Sequence, residues 1–173
     1  MEPVNLQTER LRLRRFTADD LAQVLKVTAD VETMRYIGTG ATDTEGGAKV
    51  RLARYLGYPQ KYPGLGWWAA EEKASGKYIG WFALIYIPGT VEVEVGYLLV
   101  KSAWGKGFAT EGARAVLAYG FEEVGIDRIV AIAQIPNRAS QNVMRKIGLL
   151  DCGTARYYSR EVAYFVGERL ANA

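Results

Sequence analysis

The chain has 173 residues, 49% of them hydrophobic, with 22 basic against 19 acidic side chains and a formal charge of +3. That length and apolar content suit one domain spanning residues 1–173, and the scattered charges form no polybasic stripe of the kind that neutralises a nucleic-acid backbone. Histidine is absent and Cys152 is the lone cysteine, which excludes Ser-His-Asp and Cys-His nucleophile pairs, His-based zinc sites and an intrachain disulfide.

The opening residues carry Glu2, Glu9, Arg10, Arg12, Arg14 and Arg15, so no apolar leader core precedes the first element, and no later run is long enough to span a bilayer. A cytoplasmic protein is expected. Cys152 reads as a small buried hydrophobe.

Leu11, Leu13 and Phe16 alternate with arginines as a strand ending at Thr17. Thr17 followed by Asp20 resembles a capping box, and Leu21, Val24 and Leu25 supply the apolar stripe of a first helix. Val50, Leu52, Tyr55 and Leu56 predict a second helix from Thr42 to Tyr58, which Pro59, Pro63, Gly64 and Gly66 then break. Three meander strands follow, Trp67 to Glu71, Tyr78 to Ile87 and Val91 to Val100, joined by turns at Ser75-Gly76 and Pro88-Gly89. A helix from Gly107 to Val124 leads to an apolar strand, Ile126 to Ile135, which should lie parallel to the third meander strand. Pro136 closes it. A helix from Asn137 to Lys146 and strands Leu149 to Tyr157 and Glu161 to Leu170 complete a mixed α/β (α+β) sheet.

The junction from Val100 to Glu111 holds Gly105, Gly107 and Ala109 just before a helix. Small residues there let backbone approach a ligand, and the free amides of a helix start attract an anion such as a pyrophosphate. Lys106 adds a cation beside them. An ordinary strand-to-helix turn remains the bland alternative. The run is not a Walker A loop, and Thr110 stands where a dinucleotide fingerprint needs its third glycine.

With its surroundings, the segment Trp104, Gly105, Lys106, Gly107, Phe108, Ala109 resembles motif A of the GNAT acetyltransferase superfamily, with Trp104 in place of the usual Gln or Arg. Asn137, Arg138, Ala139 and Ser140 resemble the Asn-x-x-Ser helix of its Rim-type branch, and Thr8 to Arg14 resemble that branch's opening. The resemblance implies a mostly antiparallel, splayed sheet of about seven strands with helices on both faces. It implies acetyl-CoA as cosubstrate, no metal, and a primary amine as acceptor, either a protein N-terminus or a small amine. Trp104, Gly105, Lys106, Gly107, Phe108, Ala109 and Thr110 would cradle the pyrophosphate. The pantetheine arm would pair with backbone near Leu98, Leu99 and Val100, with Asn137 beside it, either as a ligand contact or as a helix N-cap.

By the same resemblance, Glu94 stands where relatives carry a general base, with Glu92 as its alternative and both on the strand face opposite Val91, Val93 and Val95. A backbone N–H near Leu98 or Leu99 would hold the oxyanion. Met144 occupies the place of the usual thiolate-protonating tyrosine, which leaves Ser140 as the donor. Trp67, Trp68, Tyr86 and Met34 to Gly40 are candidate acceptor walls, and Glu71, Glu72, Glu92 and Glu94 would suit a cationic amine. Monomer and homodimer stay open, as do a non-catalytic acetyl-CoA sensor and an unrelated nucleotide enzyme.

Overall fold

The structure is a computed structural model that describes residues 4–169. Strands β1 (Leu6–Gln7) and β2 (Leu11–Arg15) open the chain, and a 3-10 turn, Ala18–Asp20, leads into α1 (Leu21–Thr28). The Thr17–Asp20 capping box forms, and the Asp20 carboxylate also accepts from both terminal guanidinium nitrogens of Arg14 at 2.7 and 2.8 Å. A one-turn helix, α2 (Val31–Met34), precedes α3 (Glu45–Lys61), which Thr44 caps by accepting from the Gly47 amide. Pro59 does not break α3. It sits in the last turn, and Tyr62 N–H still closes on Tyr58 O at 2.9 Å.

The meander is β3 (Gly66–Glu72), β4 (Tyr78–Tyr86) and β5 (Val93–Leu99). After the 3-10 turn Lys101–Ala103 come α4 (Phe108–Glu122), β6 (Arg128–Gln134), α5 (Arg138–Lys146), β7 (Leu150–Tyr157) and β8 (Arg160–Glu168). Leu170, the expected end of the last strand, lies outside the described residues. Among the described residues the sheet has eight strands, one more than expected because of the short β1, in the order β1-β2-β3-β4-β5-β6-β8-β7. Every neighbour pair is antiparallel except β5 with β6. Those two pair only at Val93 with Ile129 and Glu94 with Val130, and the strands part beyond that point.

Helix α4 covers one face so closely that a Cβ on Gly112 would lie 2.2 Å from the Phe82 ring and one on Gly120 would lie 2.6 Å from Ile129. The opposite face belongs to α1 and α3, where Tyr55 stacks on Trp67 at 4.7 Å and approaches Trp81 at 6.4 Å. Cross-strand partners share a face, so register assigns the residues of β5. Tyr97, opposite Phe82, faces α4, whereas Glu94, opposite Ile85, faces α3.

Cys152 is exposed rather than buried. It lies on β7, the edge strand, where the register shifts between Asp151 and Thr154 and nearly every side chain meets solvent. An edge strand has one strand neighbour, which leaves its side chains open to solvent.

Candidate active site

The glycine-rich junction folds as a tight connection whose amides point outward. Gly105 and Gly107 take φ of 72° and 80°, left-handed values that other residues adopt at a cost, and Gly107 is the N-cap of α4. Trp104 N–H bonds Lys101 O and Glu111 N–H bonds Gly107 O, while the amides from Gly105 to Thr110 have no protein acceptor among the described residues. A row of free donors at the head of a 15-residue helix attracts negative charge. Lys106 is exposed beside it. Phe108 is buried, with Ala109 and Thr110 half-buried behind it.

The chain's opening residues brace this connection. Arg10 donates to Glu111 Oε2 at 2.7 Å and to Lys106 O at 2.9 Å, and its guanidinium lies 4.6 Å from the Phe108 ring centre. Glu111 also accepts from the Arg10 amide at 2.8 Å and from the Thr8 hydroxyl. The Glu111 carboxylate in the first turn of α4 is thereby paired, and the Lys106 carbonyl is held by Arg10.

Hydrogen-bond parity along β5 decides which backbone groups face the gap. Ile87 N–H donates to Glu92 O and Val100 N–H to Ile79 O, both at 2.9 Å, so the even-numbered residues turn toward β4. Leu98 follows them, opposite Trp81. The Val100 carbonyl accepts from Ala103 N–H, which leaves Val100 no backbone group to offer a ligand. Of the expected trio, Leu99 alone faces the gap, together with Val95 and Tyr97. Its carbonyl accepts from Trp104 Nε1 at 2.8 Å, so its amide is the group left to a ligand. The departure at Trp104 thus ties the glycine-rich connection back onto β5.

Where β5 and β6 part, the two faces carry different chemistry. On the α3 face the Glu94 carboxyl makes no hydrogen bond or ion pair among the described residues, and burial pushes its pKa up to about 8. On the α4 face Tyr97 Oη lies 2.9 Å from Ser140 Oγ and donates to Ser140 O at 3.0 Å. Burial raises the Tyr97 pKa well above that of an ordinary phenol, with the Ser140 hydrogen bond opposing and Glu94 adding to the rise. Tyr97 is absent from the sequence expectation, which sought a hydroxyl along α5. Met144, in the usual tyrosine's place, is buried in the core. Asn137 caps α5, its Oδ1 accepting from Ser140 N–H at 3.1 Å.

Glu92 lies on the same face as Glu94 but is not free to act as a base. It precedes β5, and its carboxylate accepts from Tyr164 Oη at 2.6 Å and from Tyr157 Oη. Val91, expected on the buried face, is exposed in the same turn.

The GNAT acetyltransferase domain model matches residues 10–150. The chain belongs to this family. The uncharacterized N-acetyltransferase YnaD of Bacillus subtilis is similar at 33% identity over 147 residues, 84% of this chain and 82% of YnaD. The FsC-acetyl coenzyme A-N(2)-transacetylase of Aspergillus fumigatus shares 30% over 152 residues, 83% of this chain and 64% of that protein. A GNAT-family acetyltransferase of known structure from Bacillus anthracis superposes with a TM-score of 0.80 at 26% identity, covering 96% of this chain and 99% of that one.

This GNAT acetyltransferase is therefore an acyltransferase whose family takes acetyl from acetyl-CoA. The amide row from Gly105 to Thr110 and the opening between β5 and β6 fit an anionic donor with a long polar arm. Its other expected walls are differently employed. Trp67 and Trp68 are buried in the core, and Glu71 pairs with Arg14 at 2.7 Å. Glu72 accepts from Ser75. The segment from Met34 to Gly40 lies against β6, its Tyr36 carbonyl accepting from Gln134 Nε2 at 3.2 Å. The tip of the β7–β8 hairpin carries no candidate site residue in the sequence expectation. There Tyr158 and Ser159 take φ of 51° and 60°, and Tyr158 is exposed. Among the described residues no helix is long and apolar enough to cross a membrane.

Proposed function

We propose that this enzyme acetylates a primary amine by direct attack on the acetyl-CoA thioester, with Glu94 as base and the Tyr97–Ser140 pair as hydrogen-bond donor to the departing sulfur. The observation that carries this reading is the placement of Glu94 and of Tyr97 with Ser140 on opposite faces of the sheet, where β5 and β6 separate. Acetyl-CoA, which the fungal relative's name includes, supplies the electrophilic carbonyl. The amides from Gly105 to Thr110 hold its pyrophosphate, and the gap-facing amide of Leu99 holds the oxygen that gains charge.

A carboxyl near pKa 8 is matched to an α-amine of about 7.7–8.0 far better than to a lysine of about 10.4. Glu94 receives the proton that the amine loses as it bonds carbon. The Tyr97 hydroxyl is a much weaker acid than a thiol of about 8.5. Tyr97 and Ser140 therefore donate hydrogen bonds that stabilise the thiolate and do not surrender a proton to it. No residue needs to become acetylated.

The test joins binding to turnover. At about 100 times its Kd, acetyl-CoA should stabilise the fold by about 2.7 kcal/mol in a thermal melt, while NAD and ATP leave it unmoved. Thiol should be released only when a primary amine is present. A burst of thiol with enzyme and acetyl-CoA alone would refute direct attack, and binding without turnover for any amine would mark a sensor.

A further inference from the structure

We propose that the groove beside Glu94 selects acceptors that carry an anionic group as well as the amine. The inference rests on the reading of Glu94 as the base and adds the chemistry of what approaches it. A groove of about 580 Å³ runs between the end of α3 and the β4–β5 turn, with Arg54, Tyr58, Lys61, Tyr62 and Tyr86 among its walls. Among the described residues no acidic side chain lines it. Arg54 and Lys61 are exposed and neither enters an ion pair among the described residues. Each lies over an aromatic face, Arg54 4.9 Å from the Trp67 ring and Lys61 5.1 Å from the Tyr62 ring. Such stacking holds a cation in place without neutralising it.

The groove adjoins the base. Arg54 lies over Trp67, Trp67 opposes Ala83, and Ala83 opposes Gly96, which is two residues from Glu94 on the same face. The carboxylates that suggested a cationic acceptor do not compensate, because Glu71 is paired with Arg14 and Glu92 is held by Tyr157 and Tyr164. Nor do these cations serve the donor's phosphates. The groove meets the start of β5 and the glycine-rich connection follows its end, a separation of about 20 Å at about 3.4 Å per residue. Two uncompensated cations over aromatic walls fit a planar or apolar amine bearing a carboxylate, and they disfavour polyamines.

Three amines of one shape test this: para-aminomethylbenzoate, benzylamine and para-xylylenediamine, with thiol release from acetyl-CoA as the readout. The acid should exceed benzylamine at least about tenfold in kcat/KM, with the diamine poorest. In R54Q/K61Q the differences should shrink to within about twofold, while the KM for acetyl-CoA stays unchanged. Equal use of all three, preference for the diamine, or discrimination that survives R54Q/K61Q would overturn the inference and leave acetyl transfer intact. Turnover of none, with the acetyl-CoA melting shift preserved, would also overturn it. Loss of both turnover and shift would instead overturn the donor reading beneath it.

Discussion

Glu94→Gln should make the protein more stable and less active at once. Burial raises the Glu94 pKa from 4.5 to about 8, so between those limits the folded chain holds a proton that the unfolded chain has released. Wherever the folded state binds more protons, stability falls as pH rises. The loss is absent below about pH 4.5 and complete above about pH 8. At about 1.4 kcal/mol per pH unit the ceiling is about 5 kcal/mol. Glu94 keeps some solvent contact, which reduces the expected penalty to about 1–3 kcal/mol. Glutamine cannot ionise, so urea unfolding should show the variant above wild type by that amount at about pH 9 and level with it at about pH 5. Turnover at about pH 8 should fall by about 10²- to 10⁴-fold, with acetyl-CoA affinity retained. Equal stability at the higher pH would refute the burial argument, and turnover within about fivefold of wild type would remove Glu94 as the base.

Tyr97→Phe should lower kcat about 10- to 100-fold with the KM for acetyl-CoA little changed, since the Ser140 contact is lost while the ring keeps its packing on Phe82; steady-state kinetics over both substrates will tell. Gly107→Ala forces a side chain into φ of 80° and sets its Cβ 3.3 Å from Arg10 Nη2. That should cost about 1 kcal/mol in a denaturant melt and raise the KM for acetyl-CoA several-fold. Gly112→Ala drives a methyl into the Phe82 ring and should destabilise by about 1–3 kcal/mol without altering residual kcat per folded molecule. Calorimetry combined with active-site titration separates those two effects.

Much of the scaffold could be read from local pattern because its causes are local. Alternation at Leu11 and Leu13, the Thr17–Asp20 box and the glycines before α4 each act within a few residues. The site is harder to read, because its decisive contacts join distant stretches. Tyr97 reaches Ser140 across 43 positions, a neighbour that spacing along α5 cannot disclose. Glu92 and Glu94 look equivalent in sequence and differ because two tyrosines from the last hairpin engage one of them and not the other. Leu98, Leu99 and Val100 look interchangeable until pairing with β4 assigns alternate residues to the gap. Cys152 is exposed because β7 is an edge strand, a fact of strand order that its own neighbours in the chain do not encode.

On the proposed roles, Glu94 and the Tyr97–Ser140 pair look out from opposite sides of the sheet and the two reactants have separate entrances. Neither must wait for the other to leave, so initial-rate plots should intersect rather than run parallel, and each product should compete with the reactant that shares its doorway.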